Sequence, residues 1–255
     1  LDQFAQKSGK VKDGLSMLKD LVEVATATGA DLGELSRTAG SVHMATGNSA
    51  DTMSVVREMA GMGRAGSVDL RDLQQYGGRV TSAASLYENK RAAITGLNAI
   101  VQQSAATGGS TDAAEATMSV VRLGSDLLKK EDVLKSDYGM NIRGKDGKLL
   151  RDPTELIKEL VVKTGGDMGK LHKVLGERSF RAASGYAAVF NDATKGKTGK
   201  EAETVGIAAM NEAFDRFKNA ALSEEQVKKD ASARMQETDK QLAVALQELR
   251  REVGD

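Results

Sequence analysis

"ATGNSADTMSVVREM" occupies residues 45–59, and "ATGGSTDAAEATMSVVRLG" occupies residues 106–124. The hexamer TMSVVR is identical at 52–57 and 117–122. Each copy runs from Ala-Thr-Gly through a polar cluster into the shared hexamer, and the second has four more residues before it. Asn48 with Asp51, and Asp112 with Glu115, have the spacing at which a side chain caps the first amides of a helix. Met53, Val56 and Met59 recur at helical intervals, as do Met118, Val121 and Leu128, which predicts one buried face in each copy. A chain that writes the same capped helix twice is built from duplicated helical hairpins, with chance likeness between Ala-rich helices as the rival explanation.

The rest of the chain points to the same class. Pro153 is the one proline against 27 glycines, so helices are rarely forbidden and often interrupted. Gly29, Gly40, Gly47, Gly61, Gly63, Gly66, Gly77, Gly78, Gly96, Gly108 and Gly109 are spaced about one helix apart, as helix-ending glycines are. The predicted fold is mainly α. It comprises glycine-punctuated helical hairpins in a compact domain over 1–195, then a linker and a long coiled-coil-like helix over 196–255 that projects from it.

Two segments add detail. In "GMNIRGKDGKLL" (139–150), Met140 and Ile142 alternate with polar neighbours and Lys145-Asp146-Gly147 suits a tight turn, which predicts a small β-hairpin or extended flap. In "RDPTELIKELVVKTGG" (151–166), Asp152 caps, Pro153 takes the first helical position, and Gly165-Gly166 ends the helix. Phe180, Tyr186, Val189 and Phe190 then mark a buried helix after a break at Gly176. "TKGKTGKE" (194–201) reads as the linker.

Beyond it, Ile207, Met210, Phe214, Phe217 and Ala221 are spaced 3, 4, 3, 4, as in a coiled-coil seam. A weaker pattern continues through Val227, Ala231, Met235, Leu242, Leu246, Leu249 and Val253. This seam packs either on its own domain or on another chain. The glycine-free run between Gly206 and Gly254 favours self-association.

Composition limits the chemistry. Lysine plus arginine and aspartate plus glutamate each number 36, which argues against a general binder of nucleic acid, whose affinity comes from neutralising phosphates. Without cysteine there are no disulfides, thiolate metal sites or cysteine nucleophiles. No stretch reads as a secretory leader, and no apolar run approaches the roughly 18–20 residues of a membrane span. Aromatic residues are 4% and tryptophan is absent, so the core must come from small and aliphatic side chains, in thin layers. The chain opens on Leu1, which reads as a processed product or a piece of something longer.

Two stretches imitate a phosphate loop, which requires Gly, four residues, then Gly-Lys-Ser/Thr. Gly169-Lys170 is followed by Leu171 where a hydroxyl belongs. Gly196-Lys197-Thr198 has Asn191 where the first glycine belongs. His43 and His172 have no ligand-spaced partner in sequence, and the carboxylates alternate with lysines and arginines as on solvated helix faces. The residues therefore predict no enzyme, no cofactor and no metal.

The order of these features resembles the conserved helical region of phage tail tape measure proteins. The likeness covers roughly residues 25–220. It is carried by "GADLGELSRTAGSVHMATGNSADTMSVV", by "GRAGSVDLRDLQQYGGRVTSAAS", by "YGMNIRGKDGKLLRDPTELIKELV" and by "LHKVLGERSFRAASGYAAVF". It implies a structural role in setting tail length and in tail assembly, followed by release during genome ejection. The partners implied are tail tube and tail-tip proteins and tail assembly chaperones. A homo-oligomer, trimer or hexamer, follows from the symmetry of such tails, and the location is the virion, with the host cytoplasm during assembly. The chain lacks the several hundred residues of long helix and the hydrophobic segments of a whole ruler. Fully helical it would span about 380 Å, and folded into hairpins far less, so it reads as a docking segment. The alternatives are a helical protein-interaction adaptor unrelated to phage tails and, more remotely, a cell-wall hydrolase.

Overall fold

The computed structural model describes residues 2–254, with side chains described as far as Gln241. The chain is 79% helical, with twelve helices and no strand among the described residues. In order they are α1 (Asp2–Ser8), α2 (Val11–Thr28), α3 (Leu32–Thr46), α4 (Ser49–Ala65), α5 (Leu70–Ala84), α6 (Lys90–Ala106), α7 (Ala113–Lys129), α8 (Glu131–Tyr138), α9 (Pro153–Thr164), α10 (Met168–Ala193), α11 (Gly199–Lys218) and α12 (Glu224–Gly254).

The predicted caps close the repeated units as expected. Asn48 accepts the Asp51 amide at 2.8 Å, and Asp112 accepts the Glu115 amide at 2.7 Å. The repeat therefore maps onto two helix pairs, α3–α4 and α6–α7. The buried faces of the two copies differ. Met53, Val56 and Met59 are buried as predicted. In α7 the core face is Ala116, Val120, Leu123 and Leu127, and Met118, Val121 and Leu128 are only half-buried. The reason is environment. Helix α4 lies against α2, α3, α5, α6 and α11, whereas α7 is held mainly between α10, α5 and α6, which turns a different side of the same hexamer inward.

Thin layers are not what forms. Residues 93–104 of α6 are all buried, and α3, α4, α5, α7, α9, α10 and α11 surround it. A helix buried on every side needs small residues where neighbours cross and partners for its polar ones. Gly96 meets the Thr154 methyl of α9, where an added Cβ would sit 2.9 Å away. Thr95 donates to the Glu58 carboxylate of α4 at 2.5 Å, and Arg91 pairs with the same carboxylate. Many of the mid-chain glycines thus do not punctuate. Gly40, Gly61, Gly63, Gly77, Gly78 and Gly96 lie inside helices, whereas Gly29 and Gly47 end helices with left-handed backbone.

The β-hairpin expected at 139–150 is not seen. The segment is a loop with isolated bridges from Leu150 to Arg143 and to Tyr87. Asp146 caps its turn by accepting the Lys148 and Leu149 amides. Leu150 gives its amide to the Leu86 carbonyl at 2.8 Å and its carbonyl to the Glu88 amide at 2.9 Å. Backbone to backbone, the two arms of the segment are joined only by the Gly144 amide on the Leu149 carbonyl at 2.8 Å and the Arg151 amide on the Ile142 carbonyl at 3.0 Å, so no ladder of strands develops, and the α5–α6 link takes the outward-facing groups of Leu150. Met140, Ile142 and Leu150 are buried, so the predicted alternation serves to anchor a loop.

The capped start of α9 forms as predicted: Asp152 accepts the Thr154 amide at 2.8 Å with Pro153 in the first turn, and Gly165 ends the helix. The C-terminal helices lie against the body. Helix α11 packs on α4, α6, α9 and α10, and α12 packs along α2, with Arg64 bonded to Asp230 at 2.7 Å and with Val227 and Ala231 buried.

Candidate partner interface

The predicted seam occupies two settings. Met210, Phe214 and Phe217 are buried in this chain's own core, and Ile207 packs partly buried against it. Phe190 of α10 lies against Gly206 so closely that a Cβ there would be 2.3 Å from the ring. The apolar side of α11 is thus spent within the chain. Leu242 and Leu249 lie outside the residues whose side chains are described.

The segment 174–183 is a joint. Gly176 interrupts α10 with φ 74° and ψ 173°. Just past this kink, the Ser179 hydroxyl donates to Asp126 of α7 at 2.8 Å, and Arg181 pairs with Glu115 at the start of α7. The Arg181 carbonyl accepts from Ser104 of α6 at 3.0 Å and from Ser184 at 2.9 Å. Ser179 and Arg181 thus tie α10 to α6 and α7. The Thr111 amide and hydroxyl, then Arg181, hold the Glu115 carboxyl below the usual glutamate range.

His43, without a partner in the sequence pattern, has two in space. Its Nε2 lies 3.0 Å from Asp13, and its Nδ1 lies 3.2 Å from the Thr52 hydroxyl. The acid–imidazole–hydroxyl order is that of a nucleophile relay. The hydroxyl, however, donates to the Asn48 carbonyl at 2.7 Å, and Thr52 is 0% exposed. These contacts tie α2 to α3 and α4. His172 is exposed, with the Phe180 ring set edge-on at 5.4 Å. Of the two phosphate-loop imitations, Gly169–Leu171 lies in the first turn of α10 and the other lies between helices. Asp167 caps α10 by accepting the Lys170 amide, and 196–198 lie in the α10–α11 link. Burial pushes the Tyr87 and Tyr186 phenols upward, for Tyr87 with help from Asp152, so both stay neutral. Among the described residues no group of three or more His, Asp or Glu side chains could hold a metal ion, and no helix is long and apolar enough to cross a membrane.

A groove of about 910 Å3 lies between α3 and α5. The two helices run in the same sense, because Thr38 bonds the Gln74 carbonyl at 2.8 Å and Ser41 lies beside Gly78. Gly77 lets them close up: a Cβ there would stand 2.4 Å from the Thr38 methyl. The floor is made of short side chains, among them Ser41, Ala45, Gly78 and Ser82. Met44, 67% exposed, stands over one end. Lys7, Arg37, Arg79 and Lys90 line the groove against a single acid, Glu34. The sequence reading passed over this surface. Its signal was present in the four-residue spacing of small residues at 41 and 45 and at 78 and 82, which sets two shallow faces side by side.

The fold and this surface define an all-helical protein whose polar groups serve mainly to join helices. Comparison with protein-family models, with curated proteins and with solved structures finds no match.

Proposed function

We propose that the chain is a structural segment of a phage tail tape measure protein, acting in tail assembly as a folded docking domain. The observation that supports this best is how the resemblance-bearing stretches are joined. The 139–150 loop is bonded to the α5–α6 link, α9 lies on α6 through Thr154 and Gly96, and the 174–183 joint is tied to α6 and α7. Stretches far apart in sequence thus form one interlocked body around α6. Such a body suits a domain that presents surfaces to tube, tip or chaperone proteins better than a rod that measures by residue count.

The test is an in-frame deletion of residues 25–195 in a phage carrying this chain, with tails imaged by electron microscopy and their proteins identified by mass spectrometry. A docking domain predicts tails that fail to assemble, or tails whose length is unchanged. Shortening by about 260 Å, the helical length of the deleted residues at 1.5 Å each, would make the segment part of the ruler. Absence of the chain from tails and from their assembly intermediates would leave the other reading, a helical adaptor unrelated to tails. The same α3–α5 groove would serve that adaptor.

A further inference from the structure

We propose that the α3–α5 groove receives an acidic amphipathic helix of a partner protein. This rests on reading the chain as a docking domain and is independent of whether the partner belongs to a tail. Charge carries the first part of the argument. Arg37 is paired with Glu34 at 3.1 Å, which uses the only acid in the groove. Lys7, Arg79 and Lys90 have no carboxylate within 4.0 Å among the described residues, and no second acid lines the groove to offset them. In a chain whose charges balance overall, three unmatched cations around one groove make a local positive field that favours an anionic partner.

Shape and backbone select the form of that partner. From Glu34 to Ala45 the groove follows α3 for twelve residues, about 17 Å or three helical turns. Its short-chained floor lets a helix approach closely. Met44, with half-buried Leu86 and Val121, gives an apolar contact at one end. Both walls are helices whose amides and carbonyls bond internally, so the groove has no free edge for pairing with a strand. Recognition must be side chain to side chain, as for a helix in a groove. A nucleic acid would satisfy the cations and leave the Met44 end without an apolar match.

The experiment is selection of helical peptides from a randomised display library on the full chain, followed by fluorescence anisotropy with the enriched peptides. Expected are sequences with Asp or Glu along one face and an aliphatic residue at one end. Their binding should weaken with salt and fall by about 10-fold or more in an Arg79→Glu, Lys90→Glu double variant, as loss of facing charges does. Met44→Glu, at an exposed position, should weaken them too, with circular dichroism confirming that both variants fold. Enrichment of neutral or basic helices, equal binding by the double variant, or no enrichment over that variant would each overturn the proposal. Duplex DNA that binds as tightly and loses binding with the same substitutions would make nucleic acid the occupant. Tail imaging does not depend on these results, so the two readings fail separately.

Discussion

Gln102 answers the peptide of Val68 with both ends of its side-chain amide. Its Oε1 accepts the Val68 amide at 3.0 Å, and its Nε2 donates to the Val68 carbonyl at 2.6 Å. Gln102 is 0% exposed, and Val68 belongs to the short link between α4 and α5. The central helix therefore supplies the hydrogen bonds that a buried link cannot make with water. Replacing Gln102 with leucine should orphan both groups, at about 1–3 kcal/mol for each. Urea denaturation of Q102L should show a loss of about 3 kcal/mol. Gln102→Glu keeps an acceptor and loses the donor until it is protonated, so its deficit should shrink as pH falls. Unfolding curves matching the natural chain for both variants would mean that the link does not depend on this pairing.

Legibility in the sequence divides along the same line. Caps at Asn48, Asp112 and Asp152 are local, fixed by residues three apart, and could be read directly. The helical class and the buried face of α4 followed from periodicity. Gln102 could not be read, because its partner lies 34 residues away in a link with no pattern. The 139–150 loop misled because alternation and a tight turn look the same whether the two arms pair along a ladder or through two backbone bonds. The groove needed the relative placement of α3 and α5, which Gly77 permits but does not announce. Glycine misled most, since one residue type both ends helices and lets them cross.

Gly61 tests that second use. A Cβ at this position would lie 1.7 Å from the Ala220 carbonyl oxygen, in the turn between α11 and α12. Backbone cannot rotate away as a side chain can, so Gly61→Ala must push the C-terminal helices from α4. The expected loss is about 1–3 kcal/mol, with faster tryptic cleavage at exposed Arg216 and Lys218. Gly78→Ala is the control. Its nearest neighbour is the Ser41 hydroxyl at 3.4 Å, so helix propensity should dominate and raise stability by up to about 1 kcal/mol. If the two alanines behaved alike, helix crossing at Gly61 would not be the reason for glycine there.

Acid should loosen the start of α7. The Glu115 carboxyl lies below the usual glutamate range because it accepts from the Thr111 amide at 2.7 Å and its hydroxyl at 3.0 Å, and then because of Arg181. A carboxyl depressed in the folded state binds its proton more readily when unfolded. Its stabilisation is therefore complete above the unfolded value and is lost as pH falls through the lower, folded one. Thermal melts from about pH 6 down to about pH 3, bracketing the carboxylate range, should show a smaller acid-induced drop in Glu115→Gln than in the natural chain. Equal drops would place the acid sensitivity elsewhere, for instance at Asp146, whose carboxyl is lowered by the Leu149 and Lys148 amides.

The kink at Gly176 sets where the second part of α10 meets α7. Its φ of 74° with ψ of 173° lies in a region open essentially to glycine alone. A Cβ there would meet nothing within 4 Å, so substitution brings a backbone cost without a packing one. Gly176→Ala leaves the chain two choices. It can hold the kink at about 1–3 kcal/mol of strain, or it can straighten α10 and pull Ser179 from Asp126 and Arg181 from Glu115. Both choices destabilise. The first keeps the helical signal unchanged, and the second raises it while Arg181→Ala then adds little further loss. Denaturation combined with far-UV circular dichroism separates them. A G176A chain as stable as the natural one, with unchanged helicity, would show that the break is not needed to seat α10 on α7.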